Sequence, residues 1–117
     1  MARISTHVLD TMLGRPAAGI AIDLHRVDAE GLTPVATAMT NADGRTDAPL
    51  LAGDRLEAGL YQLTFHAGEY LRRVAPGLPE PPFLDDVVVR VGIADPHGNY
   101  HVPLLLSPHG YSVYRGS

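Results

Sequence analysis

Six histidines, at positions 7, 25, 66, 97, 101 and 109, are the side chains of this 117-residue sequence best suited to moving protons near neutral pH. Two absences decide what else can work beside them. There is no cysteine, and all nine basic residues are arginine, so there is no lysine. Thiolate nucleophiles, cysteine-ligated zinc, disulfide scaffolds and lysine Schiff bases are excluded. Imidazole, carboxylate, hydroxyl and guanidinium remain, a set suited to proton transfer beside a fixed positive charge. No two histidines have the spacing of a metal motif on a helix, and no metal is expected.

Strand parity separates two histidines from the rest. His7 lies on the face opposite Ile4 and Val8, and His101 on the face opposite Val102, Leu104 and Leu106. Beside His101 that face also carries Pro103 and Leu105, a composition closer to a covered partner surface than to a wet one. An oligomer is expected, with His7, His101 and an arginine lining a cleft between subunits. Arg45 is the arginine in question, delivered by the turn Asn41-Ala42-Asp43-Gly44, in which Gly44 supplies a positive φ. His25 and His66 read as outward strand residues, and His97 and His109 as turn residues after proline, all four as surface histidines.

The elements that must position these groups are short strands. Twelve glycines and ten prolines, spread along the chain, leave little room for long helices. Period-two alternation marks strands over 4–8, 20–25, 34–40, 60–66, 86–93, 100–106 and 111–115, with a possible short edge strand near Leu50. Residues 28–31 read as a turn, and Gly68 as the stop of the fourth main strand. Glu69 to Ala75 lacks that alternation and is predicted as the one short helix, stopped by Pro76. Pro103 inside its strand predicts an edge or a bulge, because it cannot donate to a ladder. The fold class is all-β: a two-sheet antiparallel sandwich of seven or eight strands with one short helix, or less readily a small barrel. The whole of 1–117 forms a single domain.

Charge and hydropathy narrow the partners. A formal charge of −4 with no basic stripe speaks against nucleic acid. No stretch approaches the roughly 18 apolar residues of a membrane span, and the N-terminus has no basic segment leading into an apolar one. A soluble, non-secreted, cytoplasmic protein is expected.

Four segments together carry a family likeness. Ser5-Thr6-His7-Val8-Leu9-Asp10-Thr11 with Gly14-Arg15-Pro16-Ala17, then Asn41 to Arg45, then Tyr100-His101-Val102-Pro103-Leu104-Leu105-Leu106-Ser107-Pro108, and last Tyr111 to Ser117 resemble the 5-hydroxyisourate hydrolases, the transthyretin-like proteins of urate breakdown. The likeness spans essentially the whole chain, with Val113 and Ile4 as small departures. It implies a homotetramer, a dimer of dimers with active sites between the dimers. It also implies catalytic roles for His7, Arg45 and His101, with Tyr114, Arg115, Gly116 and Ser117 binding substrate beside them. The reaction implied is hydrolysis of 5-hydroxyisourate at a cyclic amide, giving 2-oxo-4-hydroxy-4-carboxy-5-ureidoimidazoline in purine catabolism, with no cofactor.

These residue types suit that reaction. A neutral imidazole can take the proton of the attacking water, and a guanidinium can hold the oxyanion. One of His7 and His101 acts as base and the other as acid or orienter, with His101 the favoured base. In a regular strand Tyr114 and Ser117 point to opposite faces, so Gly116 must let the backbone turn if both are to reach one cleft. Three other readings compete: a transthyretin-like carrier of an apolar ligand, against which the His7, Arg45, His101 set and the terminal Tyr-Arg-Gly-Ser speak, an adhesion-type sandwich, and a metal hydrolase built on the histidine pair.

Overall fold

A computed structural model describes residues 2–117. In chain order the strands are β1 (Arg3–Asp10), β2 (Arg15–Pro16), β3 (Ala21–Asp28), β4 (Gly31–Met39), β5 (Leu51–Ala52), β6 (Gly59–Phe65), β7 (Val87–Ile93), β8 (Asn99–Ser107) and β9 (Gly110–Val113). A single α-helix, α1 (Ala67–Val74), follows β6, and a 3-10 turn spans Gly53–Arg55. The first sheet runs β2-β1-β8-β9 with β5 also on β1, and the second runs β4-β3-β6-β7. Among the described residues no helix is long and apolar enough to cross a membrane.

The alternation seen in the sequence becomes the sandwich core. Ile4, Val8, Leu104 and Leu106 of the first sheet and Ile22, Leu24, Leu63 and Phe65 of the second are fully buried. Removing these branched and aromatic side chains from water is the main force holding the two sheets face to face.

Several sequence expectations need correction. The sandwich is not wholly antiparallel: β1 and β8 run parallel, in register from Arg3↔Asn99 to Asp10↔Leu106. The two strands are separated by nearly the whole chain, so no hairpin dictates their relative direction. Residues 28–31 are not all turn, because β3 continues through Asp28 and β4 begins at Gly31. The last strand ends at Val113 rather than Arg115.

Gly68 does not close a strand either. Phe65 ends β6, and Gly68 sits in the first turn of α1, donating its N–H to the Asp85 carbonyl at 2.8 Å. A Cβ there would lie 2.9 Å from Asp85 Cα and overlap the Asp85 carboxylate, so close backbone approach explains the glycine. Glu69 in the first turn of α1 and Arg72 and Arg73 in the last complement the helix dipole, and the helix ends at Val74, with Ala75 as its cap before Pro76.

Pro103 lies in an interior strand, not at an edge, since β8 is flanked by β1 and β9. The β8–β9 ladder stops at Leu104↔Val113, and the chains next meet at a separate bridge, His101↔Gly116. The His101 carbonyl faces Gly116, so alternation points the Pro103 nitrogen to the same side, into the gap between ladder and bridge. The missing N–H falls where no ladder bond is made.

Two carboxylate clamps tie loops to the sheets. Asp10, buried at the end of β1, accepts the Tyr70 hydroxyl at 2.6 Å and the Leu13 N–H at 2.9 Å, joining α1 to the first sheet. Burial, and then the Asp10 carboxylate, push the Tyr70 phenol up to about 12, so it stays a donor. His66 is not a free surface histidine: Nε2 meets Asp23 Oδ2 at 2.8 Å and Nδ1 meets Asp86 Oδ1 at 3.0 Å. The Asp23 hydrogen bond, opposed by desolvation and aided by Asp86, raises the His66 pKa above its usual 6.5.

Tyr70→Phe removes a donor to a buried carboxylate and should cost about 1.5–3 kcal/mol in urea unfolding. His66→Gln tests the second clamp. Because the folded-state value lies above that of the free imidazole, the stabilisation is complete below about pH 6.5 and fades as pH rises through the folded value. The stability gap between parent and variant should therefore be widest in acid and close toward alkaline pH; a gap that widens with pH would refute it.

Candidate active site

The parallel register of β1 and β8 assembles the site's floor. It sets Ser5 beside His101 and His7 beside Pro103 on the face turned away from the core. Ser5 Oγ lies 2.9 Å from His101 Nδ1. Two further segments are laid on either side by single bridges, His7↔Arg45 and His101↔Gly116.

The turn that carries Arg45 is built from its own sequence. The Asn41 side-chain oxygen accepts the N–H groups of Asp43 at 2.9 Å and Arg45 at 3.3 Å, a local Asx arrangement that closes the loop. Gly44 has φ 75°, and its carbonyl accepts the Val8 N–H at 2.8 Å. A Cβ on Gly44 would overlap the Val8 carbonyl, so the close docking of turn on β1 requires the glycine for a second reason. His7 Nε2 lies 2.8 Å from the Asp43 carbonyl. A carbonyl only accepts, so this nitrogen carries the proton, and the lone pair of neutral His7 is on Nδ1.

At the other bridge, the Gly116 N–H donates to the His101 carbonyl at 2.8 Å. A Cβ at Gly116 would come within 2.6 Å of His101 Cδ2 and 3.2 Å of Pro103 Cγ. The terminal segment thus lies flat against one edge of the His101 ring while Ser5 holds the other.

Between these walls is a cleft of ≈ 330 Å³, lined among others by Arg3, Ser5, Arg45, Asp47, His101 and Ser117. Burial lowers the His101 pKa below 6.5, and the positive charges of Arg45, His7 and Arg3 lower it further. At neutral pH its imidazole is uncharged and able to accept a proton. Among the described residues no carboxylate pairs with Arg45, so its guanidinium is available to a ligand.

Of the residues singled out from sequence, Arg45, His101 and Ser117 share this cleft, and His7 stands beside Arg45 but turns onto the Asp43 carbonyl. Tyr114 and Arg115 share a groove with His101, which lines both, but not with Arg45 or Ser117. They line a second groove, with β7 on its far side, and the Arg115 guanidinium stacks 4.4 Å from the Tyr100 ring centroid while bonding the Asn99 carbonyl at 3.1 Å. The parity argument for the terminal segment is realised: Tyr114 and Ser117 face different grooves. Ser5, Arg3 and Asp47 escaped sequence reasoning. Ser5 had a usable signal in its shared face with His7, but its contact with His101 depends on the parallel pairing.

The HIUase/Transthyretin family model matches residues 4–116. 5-Hydroxyisourate hydrolase 2 of Rhizobium meliloti (strain 1021) is 55% identical over 115 residues, covering 98% of this chain and 96% of its own. Among solved structures, (S)-allantoin synthase superposes with a TM-score of 0.91 at 42% identity, over 98% of this chain but only 43% of its own length. Transthyretin from Sparus aurata superposes with a TM-score of 0.87 at 27% identity, over 99% and 97% of the two chains.

Gly116→Ala is expected to displace the His101 ring or the terminal segment. Turnover should fall about tenfold or more, the scale of a misplaced acid–base group, while the melting temperature holds, because the substitution lies outside the core. Unchanged turnover would mean that the seating of residue 116 against His101 does not matter.

Proposed function

This chain belongs to the HIUase/Transthyretin family, and we propose that it hydrolyses 5-hydroxyisourate to 2-oxo-4-hydroxy-4-carboxy-5-ureidoimidazoline, with His7, Arg45 and His101 as its catalytic residues. The observation that carries the reading is the joint presence, in one cleft, of a histidine kept neutral by burial and nearby cations and an arginine without a carboxylate partner.

Water attacks the ring carbonyl and gives its proton to His101. The carbonyl oxygen becomes an oxyanion held by the Arg45 guanidinium, which stays charged throughout. The tetrahedral carbon then expels the ring nitrogen, which takes the proton back from His101. The ring opens to a carboxylic acid that ionises in water. His7, with Nε2–H engaged by the Asp43 carbonyl, offers Nδ1 to orient the water or a substrate N–H.

The Ser117 hydroxyl meets the polar edge of the substrate. Tyr114 and Arg115 stand in the second groove that His101 also lines, and they anchor the segment that seats Gly116. A homotetramer with sites where two dimers meet would cover the exposed Tyr111 and Tyr114 and the half-buried Leu105, whereas Pro103 is already buried within the chain. No step in this scheme calls for a metal or organic cofactor.

The experiment generates 5-hydroxyisourate in place with urate oxidase and follows its near-ultraviolet decay, with and without chelator, on protein whose mass is checked by sedimentation. Accelerated decay that survives chelation is expected, with a tetramer in the same sample. His101→Ala, Arg45→Ala and His7→Ala should each lower turnover by roughly tenfold or more. The acid limb of kcat/KM should have its midpoint below 6.5, since the lowered pKa keeps His101 deprotonated into mildly acid solution. Decay no faster than the spontaneous rate, from a folded tetramer, would overturn the hydrolase reading in favour of a carrier.

A further inference from the structure

The His101 ring has two ways to sit, related by a half-turn about its Cβ–Cγ bond, and its neighbours distinguish them. As placed, Nδ1 faces Ser5 Oγ at 2.9 Å and Cδ2 faces the Gly116 backbone and the Pro103 ring. The flipped ring would set a carbon against the hydroxyl and leave Nδ1 against Gly116 and Pro103. Ser5 cannot be elsewhere, because eight consecutive pairs lock it to His101 as its Cα partner.

We propose that Ser5 is the positioning residue for His101: its hydroxyl accepts the Nδ1–H, fixing the ring and its tautomer so that Nε2 presents its lone pair to the cleft. The proposal rests on His101 being the base and adds which nitrogen acts and what holds it. A neutral imidazole in water prefers the proton on Nε2, the wrong arrangement for a base that must act through that atom. The Ser5 hydroxyl has both a proton and lone pairs, and in the accepting sense proposed here it reverses that preference.

The choice of a hydroxyl over a carboxylate has a chemical consequence. A carboxylate would stabilise the imidazolium and hold the proton too long, whereas Ser5 orients the ring without adding charge. The charged groups around the ring are Arg3 and His7 from β1, Arg45 at the end of the 41–45 turn, Asp47 just beyond it, Arg90 from β7 and Arg115 from the terminal segment, so cations dominate. When the imidazole takes the water's proton on Nε2, Nδ1–H remains bonded to Ser5. When the proton passes to the leaving nitrogen, the starting tautomer is restored.

The test compares Ser5→Ala, Ser5→Thr and Ser5→Asp with the parent, in kinetics across pH and in the ¹⁵N chemical shifts of labelled histidine. Ser5→Ala should lower kcat about tenfold or more with KM nearly unchanged, and should move the His101 proton from Nδ1 toward Nε2. Ser5→Thr should restore both. Ser5→Asp should shift the acid limb to higher pH. Ser5→Ala with parental kcat and shifts would overturn the proposal, as would Ser5→Thr as impaired as Ser5→Ala. The nitrogen shifts are read without substrate, so a failed hydrolase assay with an Nδ1–H tautomer lost in Ser5→Ala would sink the reaction and leave the positioning role standing.

Discussion

The parallel pairing of β1 with β8 is the constraint on which everything at the cleft depends. Backbone ladder bonds set its register, and Thr6, buried in β1, reinforces it by donating its hydroxyl to the Val102 carbonyl at 2.7 Å. Slipping the register by one residue would turn Ser5 and His7 into the core and Ile4 and Val8 out of it, so the hydrophobic pattern and the active-site geometry are specified by the same interaction. The two bridges, His7↔Arg45 and His101↔Gly116, dock the neighbouring segments on this pair.

Charge is divided between structural and chemical uses. Asp10, Asp23 and Asp86 are engaged by Tyr70 and His66 in clamps away from the cleft. Arg72 is likewise engaged by Glu80 at 2.9 Å. Arg45 is left without such a partner. An anion-seeking guanidinium beside an uncharged imidazole results from where the acids have been placed, in a chain that carries more acid than base overall.

Much of this was legible in the sequence wherever the signal is local. Alternation found the strands, Asn41 to Gly44 announced the turn that carries Arg45, and parity put His7 and His101 on one face. What escaped was non-local. No pattern in residues 3–10 says that the strand lies parallel to one beginning at residue 99, and without that pairing the Ser5–His101 contact is invisible. Gly68 was misread because a glycine after a strand usually ends it, whereas here the approach of Asp85 from a distant loop demands it. His66 passed for a surface residue because both its acidic partners come from other strands or loops. The likeness to the 5-hydroxyisourate hydrolases named the terminal tetrapeptide as a unit; Ser117 lines one groove and Tyr114 and Arg115 the other, with His101 on both.

The separation of 96 residues between Ser5 and His101 also governs the order in which the molecule can be made. The hairpin of β3 and β4 closes over a short loop, and β6 and β7 add to it from nearby in the chain. The β1–β8 contact instead closes a loop of most of the polypeptide, whose entropy must be met before any bond across it forms. The second sheet can therefore take shape as a scaffold while the cleft does not yet exist. The cleft arrives with the closing of the longest loop, so a half-folded chain has no partly built cleft to expose.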